Sequence, residues 1–394
     1  MRRVYLDHNA TTPVAPEVFE AMKPFLLEDY GNASSVHWFG QRAKSAIEYA
    51  REQVATLIGA RSNDVSFTSG GTEADNLSLF GAVDAARTKD GTKHVITTTI
   101  EHHAVLHTVQ ALERRGIEVT CVRVGPCGIV NVEDVRKTIR PNTVLISIMH
   151  ANNELGTIQP LEEIGRVAKE HGITFHTDAV QSVGKIPVDV EKLGVDLLSL
   201  SAHKIYGPKG VGALFVRRGT RLTPHLFGGH HERGRRPGTE NTPGIVGLGK
   251  AAEIARARLD EDSERIGGLR DRLEKFILSK ISLTARNGTA APRVPNTANI
   301  RFDHVEGDGF LISLDLKGIA CSAGSACSSG SVEPSHVLTA IGLSHANARG
   351  CIRFSLGRGT TAEDIDYATG ILPEIVERLR SLSTQSKTAA TSLK

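Results

Sequence analysis

The amino-acid sequence predicts an α/β protein organised around a mostly parallel sheet. Short apolar and β-branched runs at residues 94–98, 143–148 and 173–176 indicate buried strands. Helical stretches lie between them, and apolar residues from Val36 to Ile58 recur at the three- and four-residue spacing of an amphipathic helix. Strands that alternate with helices favour crossover connections and therefore parallel pairing.

The C-terminal part of the chain predicts a second, smaller unit. Residues 245 to about 283 have the pattern of two long helices, and residues 299–302 and 351–355 indicate short strands. We expect a large domain over residues 15–260 and a small α+β domain made from residues 1–14 and 261–380. Residues 381–394 are polar and rich in small side chains, so we expect a mobile tail there.

Composition argues against several classes of protein. The 394 residues carry 47 Lys and Arg against 44 Asp and Glu, a formal charge of +3 without a basic block, so nucleic-acid binding is not expected. No apolar run approaches the length of a membrane span, and the first residues lack a signal-peptide core. Five cysteines, an odd number, fit a reducing compartment better than a disulfide framework. The expected location is therefore the cytoplasm.

Lys204 is the first candidate for chemistry. It follows a short apolar run at residues 195–200 and lies in a loop of small and polar residues. A lysine at a strand end, partly removed from water, loses its proton more readily and suits imine formation with an aldehyde. Pyridoxal phosphate is the commonest cofactor held this way. Taken alone, the motif fits a solvated loop lysine equally well.

Asp178 strengthens the assignment of Lys204. Residues 172–178 indicate a strand that ends in this aspartate, at the carboxyl edge of a sheet where open α/β folds bind ligands. A pyridoxal ring needs an acidic partner at its pyridinium nitrogen to act as an electron sink. Lys204 follows Asp178 by 26 positions, which leaves room for one crossover and one further strand.

Residues 65–76 supply a candidate phosphate site. A β-branched and aromatic strand meets Gly70 and Gly71, and a helical run follows. Free backbone N–H groups at a helix N-terminus bind anions, and glycine permits close approach. Thr72 and Ser201 add hydroxyl groups and His203 adds a ring N–H. By itself this stretch also fits an ordinary capped turn.

Several further motifs extend along nearly the whole chain. They lie at residues 5–13 (YLDHNATTP), 31–37 (GNASSVH), 101–105 (EHHAV), 149–156 (MHANNELG), 236–242 (RPGTENT), 322–328 (SAGSACS) and 352–358 (IRFSLGR). Together with the features above, and in this order, they resemble the fold-type I pyridoxal-phosphate enzymes. Within these enzymes the closest resemblance is to the cysteine desulfurases of the nitrogen-fixation and iron–sulfur-cluster type, which belong to the class-V aminotransferase family. Such an enzyme converts L-cysteine to alanine and passes the sulfur to an acceptor protein.

The resemblance implies a role for each candidate residue. Lys204 would bind pyridoxal phosphate as an imine and move protons, Asp178 would pair with the pyridinium nitrogen, and His102 would stack on the ring and transfer protons. It also implies a phosphate site at Gly71, Thr72, Ser201 and His203, a phenolic-oxygen site at Asn153 and Gln181, a substrate site at Arg353, Asn32 and Asn153, and a homodimer in which Thr239 reaches the phosphate of the neighbouring subunit.

Cys327 carries the chemistry that would distinguish this family. It lies in a Gly- and Ser-rich stretch with few apolar anchors, which predicts a mobile loop. A thiolate on such a loop could take the substrate sulfur as a persulfide and carry it to an acceptor. Cys121 and Cys351 lie in apparent strands instead, as buried, inert cysteines do.

Alternative interpretations remain open on sequence alone. The pairs Cys121/Cys127 and Cys321/Cys327 have a C-x5-C spacing that is wider than structural zinc sites use, so no metal is expected. A selenocysteine lyase would have nearly the same sequence, whereas another fold-type I lyase or aminotransferase would not need Cys327. A catalytically silent sulfur carrier would not need the cofactor residues. The acceptor protein and its pathway, iron–sulfur assembly or another thiolation, are not determined by the sequence.

Overall fold

The computed structural model describes residues 2–89, 91–323 and 334–382. The strands in chain order are β1 Val4–Tyr5, β2 Val65–Thr68, β3 His94–Thr98, β4 Glu118–Val122, β5 Thr143–Ser147, β6 Thr174–Asp178, β7 Leu197–Ser201, β8 Gly212–Val216, β9 Thr284–Arg286, β10 Thr297–Phe302, β11 Ile319–Ala320, β12 Ser322–Ala323 and β13 Cys351–Ser355. The expected C-terminal tail and the Cys327 segment fall largely or wholly outside the described residues.

The helices separate the strands much as the apolar spacing predicts. They are α1 Pro16–Leu27, α2 Trp38–Leu57, α3 Gly71–Ala85, α4 His103–Glu113, α5 Val132–Thr138, α6 Leu161–Glu170, α7 Val190–Leu193, α8 Thr242–Ala257, α9 Leu259–Lys280, α10 Gly307–Asp315, α11 His336–Ala340, α12 His345–Arg349 and α13 Ala362–Leu382. Within the described ranges, no helix is long and apolar enough to cross a lipid bilayer.

A seven-stranded sheet in the order β2-β8-β7-β6-β5-β3-β4 forms the centre of the fold. All neighbours are parallel except β8, which is antiparallel to both β2 and β7. The α/β class with a mostly parallel sheet, predicted from the sequence, is confirmed. Side chains alternate between two faces: Phe215 packs into one hydrophobic core with α2 and α8, and Leu214 and Val216 pack into another with α3 and α4.

A second sheet, in the order β12-β13-β10-β9, has its own hydrophobic core with α9, α10 and α13. The N-terminal residues Val4 and Leu6 pack into this core, and β1 pairs with β11 in parallel. Helix α11 departs from this arrangement, because Val337 and Leu338 pack into a core of the large sheet. The N-terminal segment, α11 and β13 therefore bridge the two sheets.

Cys121 corrects one expectation. The sequence predicts a strand with a buried thiol, and the strand is present as β4, but Cys121 is exposed. The reason is that β4 is the last strand of the sheet, and four of its five residues are exposed or only partly buried. Cys351, on the inner strand β13, is buried as expected.

Candidate active site

The carboxyl ends of β6 and β7 lie side by side and carry the two central residues. The strands are parallel neighbours, and Asp178, the last residue of β6, pairs with Ser199 of β7. A short 3₁₀ turn, Ala202–Lys204, follows β7 directly and places Lys204 at the same edge. This is the edge at which open α/β sheets hold ligands.

Lys204 is held by the N-terminal segment of the chain. Its Nζ donates to the backbone oxygen of Asn9 at 2.5 Å and to that of Ala10 at 2.8 Å. The backbone oxygen of the neighbouring residue, His203, accepts hydrogen bonds from both the backbone N–H and the hydroxyl of Thr12. The first dozen residues therefore close one side of the site.

Asn9 is the centre of the polar contacts in this region. Its backbone oxygen also accepts from Gln181 Nε2 at 3.0 Å, and its side-chain Nδ2 donates to the backbone oxygen of Asn153 at 3.1 Å. Its Oδ1 accepts from Lys185 Nζ at 3.2 Å and from Asn296 Nδ2 at 2.9 Å. Candidate residues from β6, β7 and the 149–156 motif thus meet at one buried asparagine.

Arg353 extends toward this group from β13. One guanidinium nitrogen donates to the Asn153 backbone oxygen at 3.0 Å, and another pairs with Asp7 at 2.8 Å. The side chain is only 2% exposed, and its Nε has no hydrogen-bond partner among the described residues. One donor of this buried guanidinium therefore lacks an acceptor among the described residues, and a nearby carboxylate would suit the charge and fork of the group.

Asp178 is oriented by the chain that follows it. Val180 N–H donates to its Oδ1 at 2.9 Å. Burial raises the pKa of Asp178 to about 6, while the Val180 hydrogen bond and the charge of Lys204 oppose that rise. A cationic ring nitrogen at this carboxyl would favour its ionised form still further, so the residue suits a pyridinium partner.

Asp75 is a second carboxyl near Asp178, and it is fully buried on α3. Burial raises the pKa of Asp75 well above its usual range, and the nearby charge of Asp178 adds to that rise. Its Oδ1 lies 3.5 Å from His176 Nε2 and has no other partner in the part of the chain that is described. Burial therefore disfavours the ionised form of Asp75, whereas the Val180 hydrogen bond and the charge of Lys204 favour the ionised form of Asp178.

His102 caps helix α4 and stays neutral. Its Nδ1 accepts from Ala104 N–H at 3.1 Å. Burial, and then the positive charge of Lys204 and the neighbouring imidazoles, lowers the pKa of His102 to about 4. A neutral imidazole beside Lys204 has a flat apolar face for stacking and a nitrogen that can accept a proton.

The N-terminus of α3 forms a close-fitting anion site. A Cβ on Gly71 would lie 2.7 Å from Val180 Cγ2 and 3.7 Å from Ser201 Cβ, so the helix start packs directly against the loops that carry Asp178 and Lys204. The first-turn acid Glu73 is neutralised by Arg236 at 2.9 Å. The free N–H groups of this 15-residue helix therefore face the site without a competing charge, which fits a phosphate group.

The remaining candidates are placed differently. Thr72 is exposed at the start of α3, and His203 Nδ1 contacts Thr11 Oγ1 at 3.1 Å. Asn32 is exposed, and its side-chain oxygen accepts a hydrogen bond from Ser34 N–H at 2.8 Å. Within one chain, Asn32 therefore stabilises the local turn. Thr239 is also exposed. Cys327 lies outside the described residues. Among the described residues, no group of three His, Cys, Asp or Glu side chains is arranged to hold a metal ion.

Sequence reasoning missed Asn9, Asp7, Asp75 and Lys185. Asp7 and Asn9 belong to a motif that the sequence singles out, but their partners Arg353 and Asn153 are 346 and 144 residues away. A polar Asp-His-Asn run directly after the apolar Val4 and Leu6 is the one local signal that could have identified them. Asp75 lies on the buried face of a predicted helix, where a carboxylate is unusual.

Comparisons with known proteins place the chain in one family. Residues 4–368 match the family described as aminotransferase class-V. The chain is 52% identical to a cysteine desulfurase IscS of Dictyoglomus turgidum over 382 residues, which is 97% of this chain and 96% of that protein.

Two solved structures are also similar. One is a NifS-like protein with a TM-score of 0.89 and 39% identity, over 96% of this chain and 100% of that chain. The other, SspA in complex with cysteine, has a TM-score of 0.80 and 41% identity, over 91% of this chain and 100% of that chain.

Proposed function

The chain belongs to the aminotransferase class-V family, and from that membership we propose how its residues carry out the reaction. It is a cysteine desulfurase that uses pyridoxal phosphate. The single observation that carries the assignment of roles is the placement of Asp178 and Lys204 at adjacent strand ends, beside the free N-terminus of α3.

The cofactor would be held by groups from three loops. Gly71, Thr72, Ser201 and His203 would bind its phosphate, Asp178 its ring nitrogen, and Asn153 and Gln181 its phenolic oxygen. The bound cofactor supplies an electron sink for the substrate α-carbon. Asp178 would support that sink, because an ionised carboxylate at this position would favour a proton on the ring nitrogen.

Two residues would move protons. Lys204 follows the carboxyl end of β7, where its Nζ could take a proton from the substrate α-carbon and return it. His102 is neutral at physiological pH, since burial lowers the pKa of His102 to about 4, so its ring can accept a proton as well as stack. A histidine protonated in its resting state could not do this.

Arg353 would clamp the substrate carboxylate. Its Nη groups are fixed by Asn153 and Asp7, and its Nε has no partner among the described residues. The pairing with Asp7 orients the guanidinium and holds its charge in place. Asn153 and Asn32 would complete the substrate site, with Asn32 supplied once its exposed turn is covered by a second subunit.

Cys327 would accept the sulfur. Its thiolate attacks the substrate sulfur, an S–S bond forms, and the electrons of the broken C–S bond stay with the substrate β-carbon. That carbon takes a proton and becomes the methyl group of alanine, so no external oxidant or reductant is needed. The product on the enzyme is a persulfide.

Both ends of the Cys327 segment support this role. Upstream, Ser322 of β12 pairs with Arg353 of β13. Downstream, Ser335 Oγ donates to Glu154 Oε2 at 2.6 Å, next to Asn153. Cys327 follows Ala323 by four residues, which span roughly 14 Å at most, and a connection of this length would let a thiol there serve a site at Arg353.

A homodimer would complete the site. An aromatic patch, formed by the rings of Tyr30, Trp38 and Phe39 with Val36 beside them, is exposed, with Trp38 at 60%. Tyr30 stacks on Phe39, and Trp38 meets Phe39 edge to face. Ser34 Oγ lies 3.4 Å from His231, which ties this patch to the loop that carries Thr239. Exposed apolar patches of this kind mark interfaces. A second copy related by two-fold symmetry would cover the patch and receive Thr239 at its phosphate.

The sulfur acceptor would be a second protein, such as an iron–sulfur scaffold or a thiolation enzyme. Iron–sulfur assembly is favoured by the resemblance to the IscS relative. A persulfide survives only where thiols are not oxidised to disulfides, so we place the reaction in the cytoplasm. Transfer of labelled sulfur to a panel of purified acceptors would identify the partner.

The experiment that tests the proposed function uses Lys204→Ala and Lys192→Met. The purified wild-type protein should be yellow, and borohydride should fix the cofactor to Lys204, as peptide mass mapping would show. Lys204→Ala should lose the visible band and alanine production, whereas Lys192→Met, which changes an exposed lysine on α7, should keep both. Normal turnover by Lys204→Ala would contradict the assignment.

A further inference from the structure

Lys185 is a second lysine in the site, and the proposed chemistry does not use it. It follows Asp178 by seven residues, on the turn that leaves β6. Its Nζ donates to Gln181 Oε1 at 2.7 Å and to Asn9 Oδ1 at 3.2 Å. Both acceptors are neutral amide oxygens, so Lys185 is not held by a carboxylate there.

The surroundings of Lys185 disfavour a cation. Burial, and then the positive charges of Lys204 and Arg353, lowers the pKa of Lys185 well below its usual range. A lysine amine donates hydrogen bonds whether or not it carries its third proton. The contact with Gln181 therefore persists in either protonation state, and geometry rather than charge defines what Lys185 does.

The contact with Lys185 fixes which way the Gln181 amide points. With Oε1 directed at Lys185, Nε2 donates to the backbone oxygen of Asn9 at 3.0 Å. Lys204 Nζ donates to that same oxygen at 2.5 Å. The donor end of Gln181 is thus next to the nitrogen of Lys204. A flipped amide would set its oxygen against the oxygen of Asn9 and its NH₂ group against Lys185.

This placement matches the chemistry of pyridoxal phosphate. The phenolic oxygen is on the ring carbon next to the one that carries the aldehyde, so its hydrogen-bond donor must lie beside the lysine nitrogen. With a cofactor bound, Lys204 Nζ and Gln181 Nε2 would each direct a hydrogen bond to it instead of to the Asn9 oxygen. The hydrogen bond from Lys185 Nζ to Gln181 Oε1 would then still orient the Gln181 amide.

We propose that Lys185 is a positioning residue that holds Gln181 with its N–H toward the phenolic oxygen of the cofactor. The inference rests on the proposed role of Gln181. A donor at the phenolic oxygen draws charge from it and weakens its hold on the proton shared with the Lys204 nitrogen. Loss of the donor should therefore raise the pH at which the visible absorption band of the holoenzyme changes.

A double-mutant cycle read by absorption tests this inference. Lys185→Met and Gln181→Ala should each raise the pH midpoint of the visible band by about one unit, a tenfold shift in proton affinity. Because Lys185 acts through Gln181, the double variant should shift no further than Gln181→Ala alone. Lys185→Arg keeps a donor and should stay close to the wild-type midpoint, as should the surface control Lys192→Met. Circular dichroism of each holoenzyme reports whether the variants fold.

The outcomes separate the two hypotheses. An unchanged midpoint in Gln181→Ala would remove Gln181 from the phenolic oxygen, and the role of Lys185 would fail with it. If Gln181→Ala shifts the midpoint but Lys185→Met does not, the positioning role alone fails. Additive shifts in the double variant would show that Lys185 acts by its own charge, which would overturn the inference. A midpoint for Lys185→Arg as high as that for Lys185→Met would also overturn it.

Discussion

Individual residues around Lys204 owe their charge states to burial rather than to direct ion pairing. Burial lowers the pKa of His102 to about 4 and raises that of Glu101 to about 8. At neutral pH the site therefore holds a neutral imidazole and a neutral carboxyl next to a carboxylate, Asp178, whose pKa burial raises only to about 6. The lowered pKa of His102 and the raised pKa values of Glu101 and Asp178 are the kind of shift that marks groups able to exchange protons in an active site.

Cys327→Ala should separate sulfur transfer from cofactor binding. The substitution should change stability within about ±0.5 kcal/mol and leave the visible band unchanged, since the cofactor residues lie elsewhere in the sequence. Alanine production should collapse, and mass spectrometry should find no persulfide.

Cys321 is the matched control for this experiment. Burial, and the nearby negative charge of Asp7, raises the pKa of Cys321 well above its usual range, so its thiol stays protonated and is a poor nucleophile. Cys321→Ala should therefore form the persulfide normally. Wild-type desulfuration by Cys327→Ala would exclude Cys327 as the acceptor and favour a selenocysteine lyase or another activity.

Glu101→Gln should change how stability depends on pH. Burial raises the pKa of Glu101 to about 8, although the Thr98 hydroxyl and the Met149 N–H both donate to its carboxylate. A raised folded-state pKa gives stability that is complete below about pH 4.5 and is lost as the pH rises through about 8. The wild type should lose on the order of 5 kcal/mol across this window from Glu101, because a rise in pKa of about 3.5 is worth about 1.4 kcal/mol per unit, and the neutral amide should not.

Thermal midpoints measured from pH 5 to pH 9 would check this prediction for Glu101. The midpoint of Glu101→Gln relative to the wild type should rise steadily with pH. Gly268→Ala, which changes no titratable group and adds a Cβ that meets nothing within 4 Å, is the control and should give a constant difference. A constant difference for Glu101→Gln as well would contradict the raised pKa.

At the scale of secondary-structure elements, the start of α3 joins the sheet to the phosphate site. Gly71→Ala would place a methyl group 2.7 Å from Val180 Cγ2. The loop after Asp178 must then move, which should cost about 1–3 kcal/mol and weaken cofactor binding. Titration of the apoprotein with pyridoxal phosphate, followed by absorption, measures the affinity.

Gly268 on α9 provides a matched control for Gly71. A Cβ at Gly268 meets nothing within 4 Å, so Gly268→Ala should stabilise the helix by about 0.5–1 kcal/mol and leave cofactor affinity unchanged. Equal affinity for the cofactor in Gly71→Ala and the wild type would show that α3 does not carry the phosphate.

Much of this element-level arrangement could be predicted from local sequence. The runs that form β3, β5, β6 and β7 are apolar or β-branched, and Asp178 and Lys204 follow from where two of those strands end. The exposure of Cys121 could not be predicted, because strand order, not strand sequence, makes β4 the edge. The contacts of Asn9 likewise depend on residues 144 to 346 positions away.

At the scale of the whole molecule, the aromatic patch predicts a dimer. Trp38→Glu should shift the protein toward a monomer in light scattering and lower its cofactor content, because Thr239 would no longer reach the partner's phosphate. Leu316→Glu, at an apolar residue 66% exposed beyond α10, should change neither. A fully active wild-type monomer, or a Trp38→Glu dimer with normal cofactor content, would contradict shared sites.

The sequence by itself predicted the α/β class with a mostly parallel sheet, the runs that form several strands of the central sheet, and the residues proposed for the chemistry, namely Asp178, Lys204 and the glycines at α3. These follow from local pattern, since apolar spacing and strand ends are properties of neighbouring residues. Only the tertiary structure decided that Asn9 joins Lys204, Gln181 and Lys185, that Asp7 pairs with Arg353, and that β4 is an edge. Those facts depend on chain segments hundreds of residues apart being brought together by the packing of two sheets, which no local pattern encodes.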